Sequence, residues 1–173
     1  MKATNVDKVL DAFGKKVVLQ ARNILNSKGK NASGNLDRSL GYFIKVFPSG
    51  ALDMSFVAEG YADIVDKGIK GSKSSAKAPM SPYKYTNKMP PTRILDKWAV
   101  RKGISGIRNN KGQFVSRKSL IFVIARNIKL FGIKPSNFFT DAFNTAYKTL
   151  PRQFMQAYAK DAAKFLKFVS KEL

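Results

Sequence analysis

The 173-residue sequence contains no cysteine and no histidine. Without cysteine there is no disulfide framework and no thiol nucleophile. Without either residue, zinc-finger ligand sets and imidazole-based triads are excluded as well. Carboxylates are also scarce, with 11 Asp plus Glu against 32 Lys plus Arg, a formal net charge of +21. No run approaches the ~18 apolar residues needed to span a bilayer. Residues Met1 to Leu19 carry Asp7 and Asp11 among their apolar positions, so they have neither the apolar stretch nor the cleavage site of a signal peptide. The chain is therefore expected to be soluble. What it does have is 44% apolar residues, enough for one domain with a real core.

The positive charge is concentrated. Met1 to Asp66 holds 9 basic and 7 acidic residues, and Asp141 to Leu173 holds 6 and 3. Lys67 to Thr140 holds 17 basic residues and one acid, Asp96. That imbalance reads either as a solvated basic face or as a surface for a polyanion or an acidic partner.

Periodicity gives the elements. Val6, Val9, Leu10, Phe13, Val17, Ala21, Ile24 and Leu25 recur at three- and four-residue steps, which predicts an amphipathic helix over 6–25, capped by Thr4 or Asn5. Leu40–Phe47 and Ala51–Ala58 flank Pro48-Ser49-Gly50 and predict an antiparallel hairpin. Its first strand carries apolar residues on both faces, Leu40, Tyr42, Ile44 and Val46 on one, Phe43 and Phe47 on the other around Lys45. A helix or another subunit is expected to cover the second face. Tyr61–Lys67 reads as a short helical segment stopped by Gly68. Ile69–Pro90, with five lysines and no period, reads as a long mobile loop.

A helix from Pro91 or Thr92 through Ile94, Leu95, Trp98 and Ala99 ends at Gly103, and a small hairpin turns at Asn109-Asn110-Lys111-Gly112. Lys118–Phe131 is a further helix, with Leu120, Ile124, Ile128 and Phe131 on one face, Gly132 as its stop, and Ser136 or Asn137 capping the next. From Pro151, Phe154, Tyr158, Ala162, Phe165 and Val169 form one stripe, with Lys160, Lys164, Lys167 and Lys171 on the far side. The fold class expected is α+β: a small antiparallel sheet packed with amphipathic helices, a basic flexible arm at 68–90, one domain over 1–150 and a helical extension over 151–173.

Catalytic constellations are not found. Asp63 and Asp66, three residues apart on one side of a turn, are the one close carboxylate pair, and beside Lys67 they read more simply as a charged turn. Gly68-Ile69-Lys70-Gly71 lacks the spacing and context of a phosphate-binding loop. No lysine is singled out as a nucleophile. Tyr83, Tyr85 and Trp98 lie near Lys84, Lys88, Arg93 and Arg101, a mixture able to contact phosphates and stack on bases. Trp98, however, falls on the apolar side of its helix, and the two tyrosines suit an interface equally. No enzyme, no cofactor and no metal site are expected.

Four short segments, in order, resemble a known family. Ser33-Gly34-Asn35-Leu36-Asp37-Arg38-Ser39-Leu40 is similar to its small-Gly-x-Leu-x-x-Ser lead into the sheet. Tyr61-Ala62-Asp63-Ile64-Val65-Asp66-Lys67-Gly68 is similar to its Tyr-Ala segment ending in acid-x-Gly. Pro90, Pro91, Ile94 and Trp98, with Lys102-Gly103, match its Pro-Pro helix and the Lys-Gly after it. Ile124-Ala125-Arg126-Asn127-Ile128, Gly132 and Phe138-Phe139 with Ala142 match its final pattern. The family is the head–tail connector, neck or tail-completion group of tailed bacteriophages. The helix after Pro151 and the long loop over 68–88 depart from its pattern.

The resemblance implies a non-enzymatic virion protein, made in the host cytoplasm, that joins head to tail as a six- or twelve-fold ring around the DNA channel. It implies as partners further copies of itself, portal or other neck and tail rings, and packaged DNA held by charge, with no membrane. Within it, Phe43 and Phe47 are candidates for the subunit interface. Lys67, Lys70, Lys73, Lys77, Lys84 and Lys88 would form an arm that clasps a neighbour. Arg101, Lys102, Arg108, Lys111, Arg117 and Lys118 would face DNA or an acidic partner. The alternative is a free, sequence-independent nucleic-acid-binding protein.

Overall fold

A computed structural model describes residues 4–49, 51–104, 106–108 and 110–172. Gly50 and Asn109, which belong to the two expected turns, lie outside the described residues. Seven helices and a two-stranded antiparallel sheet are seen among them, an α+β fold as expected: α1 (Asn5–Ser27), α2 (Asn35–Ser39), β1 (Gly41–Val46), β2 (Leu52–Val57), α3 (Ala62–Lys67), α4 (Thr92–Arg101), α5 (Arg117–Phe131), α6 (Phe138–Tyr147) and α7 (Leu150–Glu172). None of these helices is long and apolar enough to cross a membrane.

The chain divides differently from the expected boundary at 150. One compact unit takes the residues up to Ser27, Asp37–Glu59 and those from Phe138 onward. The other takes Lys28–Leu36 and Gly60–Asn137. They are called here the helical unit and the basic unit. The helix after Pro151 is therefore no extension: α7 is one wall of the helical unit, packed along α1.

The helical unit forms around α1. Thr4 and Asp7 make a capping box, with the Asp7 amide donating to Thr4 Oγ1 at 3.1 Å and the Thr4 amide to Asp7 Oδ2 at 2.9 Å. Val6, Leu10, Phe13, Val17, Ala21 and Leu25 are buried along one stripe, as their spacing dictates. The hairpin pairs Tyr42 with Phe56, Ile44 with Met54 and Val46 with Leu52, so these six side chains share its inner face. Phe56 joins Phe13, Phe139 and Phe143 in edge-to-face contacts of 5.2 to 6.2 Å, and α6 supplies the last two rings. The close approach of α1 to the hairpin depends on Gly14, where a Cβ would lie 2.5 Å from both Met54 Cε and the Tyr42 ring.

The basic unit is held by backbone rather than by a large core. Ser136 and Asn137 donate their amides to the carbonyls of Val65 and Asp66 at 2.9 to 3.1 Å, satisfying the C-terminal end of α3. The Ser136 hydroxyl donates to Val65 O at 2.6 Å. Asn137 precedes α6 with φ at 50°, outside the extended conformation of a capping residue. In α5 the buried residues are Leu120, Ile121 and Ala125, flanked by Ile124 and Ile128. That face is turned away from Phe131, which is exposed, because Ile121 and Ala125 lie between the expected positions on the helix.

The segment after Gly68 is no free arm. Ile69 and Ile133 exchange hydrogen bonds at 3.0 and 2.9 Å, and Lys70 pairs with Tyr83 and Tyr85 through its amide and carbonyl at 2.9 Å. Ser72, Lys73 and Ser74 donate their amides to the carbonyls of Lys129 and Leu130. The buried Ser81 hydroxyl donates to Gly68 O at 2.7 Å. Residues 69–85, without periodicity, are thus ordered by main-chain pairing, which leaves no trace in a side-chain pattern.

Candidate functional surfaces

On the hairpin, Phe43 and Phe47 point to the outer face. Phe43 is 49% exposed, Phe47 is also exposed with the Lys45 ammonium 4.7 Å from its ring centre, and Val57 lies beside them. Among the described residues of the helical unit no helix covers this face, since Leu150, Phe154 and Ala157 of α7 pack toward Ile44, Leu52 and Met54 on the inner one.

Helix α7 leaves a second apolar surface open. Ala157 is buried and Phe154 partly so, but Met155, Tyr158, Phe165 and Leu166 are each 60 to 66% exposed. The expected stripe is thus covered only at Phe154 and Ala162. Its tie to α1 is Asp161, which accepts the Asn5 and Val6 amides at 3.1 Å and the Asn5 side chain at 2.6 Å. The carboxylate of one helix caps the start of another. Beyond Asp161, α7 runs past the described start of α1 for eleven residues, about 16 Å of helix.

Burial pushes the Asp161 carboxyl up, but the amide donors of Asn5 and Val6 and the Asn5 side chain outweigh it and hold it below the usual carboxylate value of 3.8. A depressed native value contributes stability that is present above pH 3.8 and lost as pH falls through the native value. Asp161→Asn should therefore lower the urea midpoint at pH 7 and lower it by less at pH 3. An equal loss at both pH values would show that the carboxylate charge plays no part.

The lysines expected to clasp a neighbour are dispersed. Lys67 pairs with Asp63 at 2.9 Å, and Asp63 also accepts from the Tyr83 hydroxyl. The Tyr83 bond first, and the Lys67 bond second, hold Asp63 below its usual value. Lys70 and Lys73 sit in the paired segment, Lys77 lies 5.9 Å from the Phe131 ring centre, and Lys84 and Lys88 are exposed. Of Asp63 and Asp66, read as a charged turn beside Lys67, Asp63 lies at the surface in its ion pair with Lys67, while Asp66 is buried at 4% exposure.

The six residues expected to face DNA or an acidic partner separate into two groups. Lys102 donates to Gly29 O at 2.5 Å, and Arg117 pairs with Asp96 at 2.5 Å through Nε, so both are used inside the unit. Arg108 lies 4.5 Å over the Phe114 ring and donates to Gly112 O at 3.3 Å. Arg101, Lys111 and Lys118 are exposed. Tyr83 is tied to Asp63, and Tyr85 is half-buried with its hydroxyl pushed above the usual value by that burial, so neither is an open stacking platform. Lys97, which the sequence pattern does not mark, shares with Arg93 and Arg101 the exposed side of α4 at four-residue steps. Family models, curated proteins and solved structures were compared with the chain, and none of them matches it.

Proposed function

We propose that this protein is a non-enzymatic structural subunit of the tailed-phage neck. It assembles into a ring between head and tail around the DNA channel and ends in the virion. The observation that carries this reading is the pair of unlike apolar surfaces left open on the helical unit, the outer hairpin face with Phe43 and the ridge of α7 with Phe165 and Leu166. Because α7 packs toward the inner face of the hairpin, its overhanging ridge cannot fold back onto the outer face of the same chain. Contact between the two surfaces must then join different copies head to tail, and such contacts close into rings when the rotation between copies allows.

The ordered motifs support the reading. Tyr61–Gly68 is α3 with its glycine stop, Pro90–Gly103 is α4 with its flanks, and Ile124–Ala142 runs from α5 through Gly132 into α6. The test is assembly. Particles made with the protein should show a neck ring containing it, and Phe165→Ser with Leu166→Ser should abolish the ring while the subunit stays folded. Virions that join heads to tails and retain DNA in the absence of this protein would refute the proposal.

A further inference from the structure

The basic unit carries 19 basic and 3 acidic residues, a net +16, which leaves +5 for the helical unit. The structure accounts for all three of its acids. Asp63 is paired with Lys67, Asp96 is paired with Arg117, and Asp66 is buried. The unit therefore shows solvent no carboxylate that is both exposed and unpaired. Most of its cations, by contrast, have no counter-charge.

Arg93, Lys97 and Arg101 form a straight row on the exposed side of α4, and among the described residues none of them has a hydrogen-bond or ion-pair partner. Leu95, Trp98 and Ala99 hold the opposite side of the helix against its neighbours, so the row is fixed in direction. The three side chains span about 12 Å, in steps of about 6 Å.

We infer that this row on α4 binds the phosphate backbone of duplex DNA without reading sequence. A duplex strand carries one charge per about 3.4 Å of axis, so a 12 Å row of cations lies along three to four phosphates. An even, linear spacing suits a continuous polyanion better than the uneven carboxylates of a folded acidic protein. The two carboxylates that do reach the surface, Asp63 and Asp96, are each paired with a cation, so the surface adds little repulsion whichever way the strand runs. Arg and Lys donate to phosphate oxygens, and such contacts position a duplex without specifying bases. The biological source of the DNA rests on the neck-ring reading, whereas the chemistry does not.

The test uses the full chain, a fluorescent duplex of random sequence, and fluorescence anisotropy across a salt series. The wild type should bind at low salt. Arg93→Gln, Lys97→Gln and Arg101→Gln together should weaken binding by about tenfold or more, and should lower the slope of log K against log salt by about 2.7, at about 0.9 per lost phosphate contact. The control removes the same three charges from α7, as Lys160→Gln, Lys164→Gln and Lys167→Gln, and should change the slope little. Equal losses in both variants would overturn the assignment to α4, as would an undetectable wild-type complex. If the α4 variant lost binding to poly-glutamate but kept its affinity for DNA, the row would serve an acidic protein and the inference would fall. Oligomer mass is read separately: the α4 variant should still assemble, and a chain that binds DNA without forming rings would refute the neck-ring proposal alone.

Discussion

Gly132→Ala should destabilise the basic unit by about 4 kcal/mol, combining backbone strain of about 1–3 kcal/mol with an overpacking cost of similar size. Gly132 has φ 73° and ψ −171°, a region that only glycine occupies freely. A Cβ there would lie 2.1 Å from Ile69 O and 2.6 Å from the Gly71 amide nitrogen. Both obstacles are main chain, so no side chain can turn aside to make room. Gly71 meets the same limit from across the contact, its Cβ 2.1 Å from Leu130 O, and Gly68 has φ 72° with Ile133 O at 2.6 Å. Three glycines thus let the segment after α3 lie directly on the turn after α5. Gly103→Ala reports the backbone part alone, since Gly103 also has positive φ (64°) but nothing within 4 Å of its Cβ position. That variant should lose about 1 kcal/mol, the backbone cost alone. Urea unfolding of both variants decides the matter, and a difference between them under 1 kcal/mol would exclude the clash as the cause.

Phe13→Ala should cost the helical unit about 3–5 kcal/mol, the range for emptying a buried aromatic position. Phe13 is 6% exposed and meets Phe56 and Phe143 edge-to-face at 6.2 and 5.6 Å, so its removal leaves a void at the junction of α1, β2 and α6. The rings around it, Phe56, Phe139 and Phe143, also pack on one another. Phe43→Ala should shift the unfolding midpoint of the isolated subunit by no more than about 0.5 kcal/mol, because its side chain already faces water. Its effect belongs to assembly. Urea titration with tryptophan-independent detection, such as far-UV circular dichroism, separates the two, since Trp98 reports only on the basic unit. A Phe13→Ala midpoint equal to that of wild type would remove the aromatic cluster as the centre of the unit.

Elements with a strong period were legible in the sequence. The α1 stripe, the hairpin and the glycine stops at Gly68 and Gly132 follow from side-chain spacing and from φ preferences, which are local. The division into two units was not legible, because it depends on which distant segments pair. The order of residues 69–85 was hidden for the same reason. Its hydrogen bonds run to the carbonyls of Lys129, Leu130 and Ile133, and main-chain pairing is indifferent to side-chain type. The apolar stripe of α7 was visible in the sequence, but its exposure was not, since periodicity shows that a face is apolar and not whether anything covers it. Among the charged residues, composition located the basic stretch correctly. It could not separate Lys102 and Arg117, which are spent on Gly29 O and Asp96, from Arg93, Lys97 and Arg101, which are free. That distinction requires knowing where each carboxylate and carbonyl lies.

The bond from Asp161 to the amides of Asn5 and Val6 bears on the order of folding during synthesis. It closes a loop of 156 residues, and the rings of α6 that complete the core around α1 also come from beyond residue 137. The basic unit has all of its residues once Asn137 has left the ribosome, whereas α1 and the hairpin must wait for α6 and α7. Contacts of such long sequence separation form late. The nascent chain accordingly passes through a stage in which the basic unit is closed while the apolar stripe of α1 still lacks its cover, and shielding that stripe is the step most exposed to misassembly.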